Sequence, residues 1–500
     1  MPSASSITVV ETLGLLDDSF ASFAEGVAED RYALWLGSGI SLGRVDGLWQ
    51  VIPELIEFLR VQISPGDANC KYRKAFDQAM SLASQKPADV ASVMAKPFAE
   101  WSTAEVITGS LINNYARLLQ ITVAGKPDDY LLWDGIGMVR TFADPTRMPD
   151  VEHLCIAILI LEGVSSDIAS ANWDGLIEKA VSILANGGQP LVVCVHPEEL
   201  RDPARKARLF KFHGCAVKAA ENEARYREYL IGRQPQINRW TVDHRPMAER
   251  LVTLITSKPT LMIGLSAQDA NIQAVFAKAQ DAMEWMWPGD RPSVVFSTNA
   301  IGMDQIGLLE NVYRGAYTPD KREDINASAS FPAYAKPLLL GLVLHVICSK
   351  LRKLIVLAES DFFGAPDRER LQAGVLTLRD AVAGGTGETP AERLTFINAF
   401  IAHIGRAVSM FRRGQKPTHP LYLPVTGNAV HQFADDATIA SSGIAEAAVA
   451  VAIIGILVGD RKVRVTPALL SDAKSGSFSI IKGRITTRVF FADPAGMLAA

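Results

Sequence analysis

The amino-acid sequence predicts an α/β protein with a doubly wound parallel sheet, a helical insert and a C-terminal α+β region. Short β-branched and aromatic runs bounded by turn residues alternate with helical patterns, which is typical of parallel strands joined by helices. From about residue 50 to residue 150 the pattern is helical only, which indicates an insert after the first strand. The predicted strands are Tyr32–Leu36, Leu191–Val195, Leu209–Phe212, Thr260–Ile263 and Ser293–Phe296.

A chain of 500 residues is long enough for more than one domain. We expect a first domain over residues 1–330, with the insert at about 50–150, and a second region over residues 331–500. The insert contains the helix candidates Val51–Arg60, Tyr72–Ser84, Ala104–Leu119 and Leu131–Val139. The second region contains helix candidates at Tyr334–Ala358, Ala391–Phe411 and Ala445–Val458, an extended connection at Gln415–Asn428 and strand-like segments at Lys462–Val465 and Phe478–Phe491. For this region we expect a role in oligomerisation, partner docking or regulation.

The composition argues against several classes of partner. The net charge is −4, so nothing in the overall charge indicates binding to nucleic acid or anionic lipid. The first 20 residues lack a basic start and a long apolar stretch, and the apolar runs elsewhere are shorter than the ~20 residues that span a bilayer. We therefore expect a cytoplasmic protein that does not enter the membrane. The five cysteines are scattered, which favours neither disulfides nor a zinc site.

A glycine-rich turn follows the first predicted strand. Gly37, Ser38 and Gly39 would bring backbone N–H groups close to a pyrophosphate, and Ser41 follows them with a hydroxyl. Many turns between a strand and a helix need glycine for geometry alone. This turn therefore fits a phosphate-binding role and a purely structural role about equally well.

Two further strand ends carry polar side chains. Asn172 and Asp174 lie between a short predicted strand and the amphipathic helix Leu176–Leu184, where either residue is also a good helix cap. His213 and Gly214 follow the strand Leu209–Phe212, and ligands of open α/β sheets bind at such strand ends. Taken alone, Asn172 is explained as a cap and His213 as a structural imidazole.

Two later strands end in the same way. Gly264, Ser266 and Asp269 follow the strand Thr260–Ile263 and precede a helix, and Asn299 follows the last predicted strand. Ser266 suits a helix cap or a contact to a ribose hydroxyl. Asn299 suits the adenosine side of a nucleotide, or a plain loop.

In their order and spacing these five motifs resemble those of the sirtuin superfamily, and specifically its bacterial sirtuin-like NADase branch of anti-phage defence proteins. The segment Gly264–Asp269 with Ile272 is especially similar to that branch. The resemblance covers about the first two thirds of the chain and implies a Rossmann-like core that binds NAD. It also implies that Asn172, His213 and Asp174 are catalytic and that Gly37, Ser38, Gly39, Ser41, Gly264, Ser266, Asp269 and Asn299 bind the nucleotide.

The departures from the deacetylase sirtuins refine the expected activity. Those proteins carry two Cys-x-x-Cys pairs for zinc, and this sequence has none. The segment Gly43–Trp49 stands where deacetylases have Gly-Ile-Pro-Asp-Phe-Arg. We therefore expect an NAD hydrolase that needs no metal, with NAD as substrate. The resemblance to the defence branch implies that it acts as the effector of an abortive-infection system.

Three alternatives stay open from the sequence. They are a catalytically silent sensor of NAD or an ADP-ribose-like nucleotide, an NAD-dependent protein deacylase, and a pure interaction protein. The resemblance also implies a homo-oligomer or a defence partner, which would be an ATPase, an Argonaute-like protein or a nucleotide-processing enzyme.

Overall fold

A computed structural model of the protein describes residues 3–67, 69–203, 206–283, 291–358, 364–413, 422–435, 444–462, 477–482 and 485–490. Its centre is a parallel sheet of seven strands in the order β3-β4-β2-β1-β5-β6-β7. The strands are β1 Ala33–Leu36, β2 Asp167–Ser170, β3 Leu191–Cys194, β4 Ala207–Lys211, β5 Thr260–Ile263, β6 Val294–Ser297 and β7 Ser330–Phe331. The fold class predicted from the sequence is confirmed.

Helices lie before, between and after these strands. They are α1 Val9–Asp17, α2 Ala21–Ala28, α3 Leu48–Val61, α4 Lys71–Leu82, α5 Pro87–Val93, α6 Ala104–Ile112, α7 Tyr115–Leu119, α8 Met138–Phe142, α9 Val151–Leu161, α10 Leu176–Leu184, α11 Ala216–Glu221, α12 Glu223–Tyr226, α13 Gln234–Asp243, α14 Arg245–Ser257, α15 Ala270–Ala282, α16 Met303–Tyr313, α17 Arg322–Ala329, α18 Ala335–Leu357, α19 Ala365–Ala383, α20 Pro390–Arg413 and α21 Ile444–Gly459.

Alternate side chains of each strand face opposite layers of helices. Leu34 and Leu36 of β1 belong to an apolar cluster with α1, α2, α9, α10 and α18. Ala33 and Trp35 belong to a second cluster with α13, α14, α15 and α16. Both faces of the sheet are therefore covered, which explains why its strands read as nearly continuous apolar runs.

The insert between β1 and α9 forms its own apolar cluster, to which Ala216, Ala219 and Leu230 also contribute. Its helices differ in detail from the sequence-based prediction. The single helix expected over Ala104–Leu119 is interrupted between α6 and α7. The one expected over Leu131–Val139 is a short π-helical turn and then α8, because Gly137 adopts φ +60° between them.

The C-terminal region packs on the same face of the sheet as α9. Helices α18, α19, α20 and α21 all contribute to the cluster that contains Leu34 and Leu36. Strands β8 Ser477–Lys482 and β9 Ile485–Phe490 pair antiparallel, in agreement with the expected α+β composition. Most of the expected strand at Lys462–Val465 and part of the expected connection at Gln415–Asn428 fall outside the described residues. Of the helices in the described ranges, none is long and apolar enough to cross a membrane.

Candidate active site

The polar motifs meet at one edge of the sheet, where the strand order changes direction. Strand β1 pairs with β2 on one side and β5 on the other, and their last residues Leu36, Ser170 and Ile263 are in register. Ser170 is in turn aligned with Lys211 of β4. The loops that follow these four strands therefore begin side by side, at the kind of crevice where open α/β sheets bind ligands.

The glycine turn after β1 is packed tightly against the loop after β5. The N–H of Gly37 donates to the carbonyl of Ile263 at 3.1 Å, and the N–H of Gly39 donates to the carbonyl of Gly264 at 3.0 Å. Gly264 adopts φ +65°, and a Cβ on it would lie 2.8 Å from the Cα of Gly39. These glycines therefore allow two loops to touch, and the N–H groups of Gly37 and Gly39 already have backbone acceptors.

Asn172, Asp174 and Ser41 form a buried hydrogen-bonded cluster. The Ser41 hydroxyl donates to Asp174 Oδ2 at 2.9 Å, and the Asn172 amide Nδ2 donates to Ser41 Oγ at 3.3 Å. Asp174 Oδ1 also accepts from the N–H of Leu176, so Asp174 caps the start of α10 as the sequence suggested. Asn172 Oδ1 is buried and has no hydrogen-bond partner among the described residues. An orphaned buried acceptor of this kind is costly unless a ligand or water supplies a donor.

His213 lies in the same cavity and is held from two sides. Its Nε2 is 2.9 Å from Nδ2 of Asn271, and its backbone carbonyl accepts from the indole of Trp173 at 2.9 Å. Burial lowers the pKa of His213 below its usual value, against the opposing effects of the Asp269 carboxylate and the Asn271 hydrogen bond. A neutral imidazole has one nitrogen with a lone pair, which can act as a general base once its hydrogen bond to the Asn271 amide is released.

The cavity at this edge has a volume of about 230 Å³. Most of the residues proposed from the sequence line it, namely Ser38, Ser41, Asn172, Asp174, His213, Gly264, Ser266 and Asp269. The helical insert supplies an apolar wall, which includes Leu48, Val51 and Leu55 of α3. The cavity thus combines convergent polar groups with an apolar surface, as small-molecule sites commonly do.

Three of the proposed residues do not line this cavity. Gly37 and Gly39 lie behind Ser38 in the packed turn. Asn299 is exposed at the end of β6, and its Oδ1 accepts from the N–H of Ala4 at 2.9 Å. The N-terminal segment therefore donates to the amide oxygen of the residue that the sequence suggested for the adenosine side.

The insert is tied to the sheet across the cavity. The Tyr115 hydroxyl of α7 donates to Asp269 Oδ1 at 2.6 Å, directly before α15 begins. Burial is the main reason that the pKa of Tyr115 lies well above its usual value, so the phenol stays protonated as a donor. Asp269 therefore has a structural contact that the sequence did not indicate.

Sequence reasoning also missed His153 and Asn271. His153 is fully buried in the first turn of α9, and its Nε2 lies 3.1 Å from Ser41 Oγ. The available signal was the pair Glu152–His153 at the start of an otherwise apolar helix. Asn271 follows the proposed Asp269 by two residues, but no local pattern links it to His213, 58 positions earlier.

Comparison with known proteins identifies the class. Residues 166–300 match the family model of the SIR2-like domain. The match runs from the start of β2 to beyond β6 and includes Asn172, Asp174, His213, Gly264 and Asn271. The chain therefore contains a sirtuin-like domain, as its sequence motifs predicted. None of the curated proteins compared with the chain is similar to it.

A SIR2-like domain implies the binding or use of NAD. The cavity fits this ligand class, because Asn172 offers a buried acceptor without a partner and NAD carries ribose hydroxyls that donate. Among the described residues, no group of three or more His, Cys, Asp or Glu side chains is arranged to hold a metal ion. The five cysteines are all buried and unpaired.

Proposed function

We propose that the protein is an NAD glycohydrolase, which breaks the bond between nicotinamide and ribose. The observation that carries this proposal is the meeting of Asn172 Oδ1, a buried acceptor without a partner, with the neutral imidazole of His213 in one cavity of a SIR2-like domain. Recognition of NAD alone would not require both an orphaned amide oxygen and an imidazole in the same cavity.

The reaction needs water and produces nicotinamide, ADP-ribose and a proton. The electron pair of the breaking bond moves to the ring nitrogen of nicotinamide, which leaves as a neutral molecule, while C1′ of the ribose gains oxocarbenium character. Water then forms the new bond to C1′. We assign the positioning of the water or a ribose hydroxyl to Asn172 and the acceptance of the proton to His213.

The remaining residues bind and orient the substrate in this proposal. Asp174 orients the nicotinamide or its neighbours. The side chains of Ser38 and Ser266 contact ribose or phosphate oxygens, and Asp269 accepts from a ribose hydroxyl. Ser41 serves the nucleotide site through Asn172 and Asp174, to which its hydroxyl is hydrogen-bonded. The close packing of Gly37, Gly39 and Gly264 forms the base of the phosphate site. Asn299, whose amide oxygen accepts from the N–H of Ala4, contacts the nucleotide on its adenosine side through its amide nitrogen.

The test is nicotinamide release from NAD by the purified chain, compared with the variants Asn172→Ala and His213→Ala. We expect both variants to lose at least about 100-fold in kcat, which is in the range of removing a general base or a positioned polar group. His431→Ala is the matched control, because His431 is exposed and lies outside the cavity. Equal rates in all four proteins would reject the assignment.

Calorimetry with NAD, together with turnover assays, separates the three alternative functions. Binding without turnover would indicate the nucleotide sensor, and absence of binding would favour the interaction protein. Turnover of an acetylated peptide would indicate the deacylase.

We further propose that the chain depletes cytoplasmic NAD as the effector of an anti-phage defence system. The support is the similarity of Gly264–Asp269 to the sirtuin-like defence branch.

We propose residues 1–330 as the NAD-cleaving domain and residues 331–500 as the part that mediates self-association or docks a partner. Cellular NAD should then fall after phage infection in cells that carry the wild-type gene, but not with His213→Ala. Light scattering that finds a fully active monomer would count against a need for self-association.

A further inference from the structure

His153 is a buried group of the site to which the proposed reaction assigns no role. Its Nδ1 lies 3.1 Å from the backbone N–H of Asp150, and this N–H can only donate. Nδ1 therefore carries a lone pair, and in the neutral ring the proton lies on Nε2. Nε2 lies 3.1 Å from Ser41 Oγ, so the imidazole donates to the serine hydroxyl.

The surroundings of His153 keep its ring neutral. Burial lowers its pKa to about 4, and the nearby cations Lys336 and Arg44 act in the same direction. The carboxylates of Asp174 and Asp150 oppose this effect without cancelling it. At neutral pH the proton arrangement deduced from the Asp150 contact is therefore the populated one.

The direction of each hydrogen bond at Ser41 follows from that arrangement. Its oxygen accepts from His153 Nε2 and from Asn172 Nδ2, so both lone pairs are used. Its single proton goes to Asp174 Oδ2, 2.9 Å away. The three contacts together fix the position and direction of the serine hydroxyl.

The orientation of Asn172 depends on this serine. The oxygen and nitrogen of an amide are nearly equal in size, so hydrogen bonds rather than shape decide which of them faces the cavity. With Nδ2 held by Ser41, Oδ1 is the atom left without a partner. A rotated amide would instead present a donor, which cannot accept a hydrogen bond from a ribose hydroxyl or a water.

We propose that His153 is a positioning residue for NAD cleavage, which holds Ser41 so that the Asn172 oxygen stays available to a hydroxyl or water of the reacting complex. This inference rests on the proposed NAD hydrolysis. His153 reaches the site from α9, outside the strand-end loops, and contacts no other cavity-lining side chain through its ring nitrogens among the described residues.

The test compares His153→Gln with His153→Leu. The glutamine amide can place a donor near the position of Nε2, whereas leucine fills the space without a polar group. We expect His153→Leu to lower kcat by about 10-fold to 100-fold with KM within about twofold, as for a misplaced reacting group. His153→Gln should retain kcat within about threefold of the wild type. A purely structural role would not produce this rescue, and equal losses in the two variants would overturn the proposal.

His345→Leu is the matched control. His345 is also buried with a pKa lowered to about 4 by burial, but it lies in α18 beside Asp17 and Ser349, away from the cavity. It should leave kcat unchanged, and circular dichroism and thermal unfolding check the fold of each variant. If His153→Leu does not fold, Ser41→Ala provides the second route. In the Ser41→Ala background, adding His153→Gln should change kcat no further, because neighbours that act through one contact are not additive.

A measurement independent of turnover separates this inference from the proposed function. Nitrogen NMR of ¹⁵N-histidine-labelled protein, assigned by the signal lost in His153→Gln, should show a protonated Nε2 and a bare Nδ1. A protonated Nδ1 would overturn the inference even if NAD is cleaved. A wild-type protein with the expected tautomer but no nicotinamide release would overturn the proposed function, and with it the catalytic role of His153.

Discussion

The side-chain amide of Asn271 lies 2.9 Å from Nε2 of His213 and is the contact that orients this buried imidazole. The two residues come from different elements, since His213 follows β4 and Asn271 is the second residue of α15. If His213 accepts a proton during NAD cleavage, its ring must be held at a fixed angle while it does so.

Replacing Asn271 should therefore impair turnover without unfolding the protein. We expect Asn271→Leu to lower kcat for nicotinamide release by about 10-fold or more, because the imidazole loses its partner. Asn311→Leu is the control, since Asn311 donates to Gln273 outside the cavity. Steady-state kinetics of the two variants at one pH decide the matter, and a wild-type kcat in Asn271→Leu would show that His213 needs no such support.

The pH dependence of kcat should report the neutral form of His213. Burial lowers its pKa, so the base form persists to lower pH and the acid limb should have a midpoint below the usual value of about 6.5. The Asp269 carboxylate opposes that shift, so Asp269→Asn should move the midpoint to still lower pH. Asn271→Asp places a carboxylate beside the ring and should move it upward. Profiles with the two midpoints in the reverse order would rule out His213 as the titrating base.

Gly264 should not tolerate a side chain. Gly264→Ala introduces a Cβ that would lie 2.8 Å from Gly39 Cα and Ile40 N, at a φ of +65°. We expect a loss of about 1–3 kcal/mol in the free energy of unfolding, together with weaker NAD binding as the two loops separate. Gly307→Ala is the control, because that position has open space in the middle of α16 and should be neutral or slightly stabilising. Urea unfolding measures the change in the free energy of unfolding in each of the two variants. Equal values for Gly264→Ala and Gly307→Ala would show that the two loops adjust to the added side chain.

The buried ion pair between Lys350 and Glu162 should be essential to stability. Both side chains are fully buried, and Nζ lies 2.7 Å from Glu162 Oε2, while the Tyr422 hydroxyl donates to the other carboxylate oxygen. Lys350→Met leaves that carboxylate without its cation, and we expect a loss of about 3–5 kcal/mol in the free energy of unfolding.

Adding Glu162→Gln to Lys350→Met should recover part of this loss, because the uncompensated charge is then removed. Lys462→Met, in an exposed pair with Asp460, should leave the unfolding midpoint unchanged. An unchanged unfolding midpoint in Lys350→Met would mean that the buried pair contributes nothing to the stability of the fold.

Local sequence patterns were sufficient to predict most strands of the sheet and many of the residues that line the cavity. Strand-end polar residues such as Asn172 and His213 were predictable because parallel strands bring their carboxyl ends to one edge. His153 and Asn271 were not, because each acquires its role from a contact across more than 50 residues of sequence. For Asn299 the local pattern suggested a contact that the structure does not show. Its position after a strand suggested a ligand, but its amide oxygen accepts a hydrogen bond from a backbone N–H of the N-terminal segment.

Helix α9 is anchored at both ends by the region that follows residue 330. At its first turn Lys336 pairs with Asp150 and Glu152, next to His153, and just beyond its last turn Glu162 pairs with Lys350. Transplanting residues 331–500 from a homologue would therefore require matching cations at both places. Any exchange of this region between proteins is therefore constrained by the charged residues at the two ends of α9. The pair at its first turn lies next to His153, the residue proposed to orient Ser41.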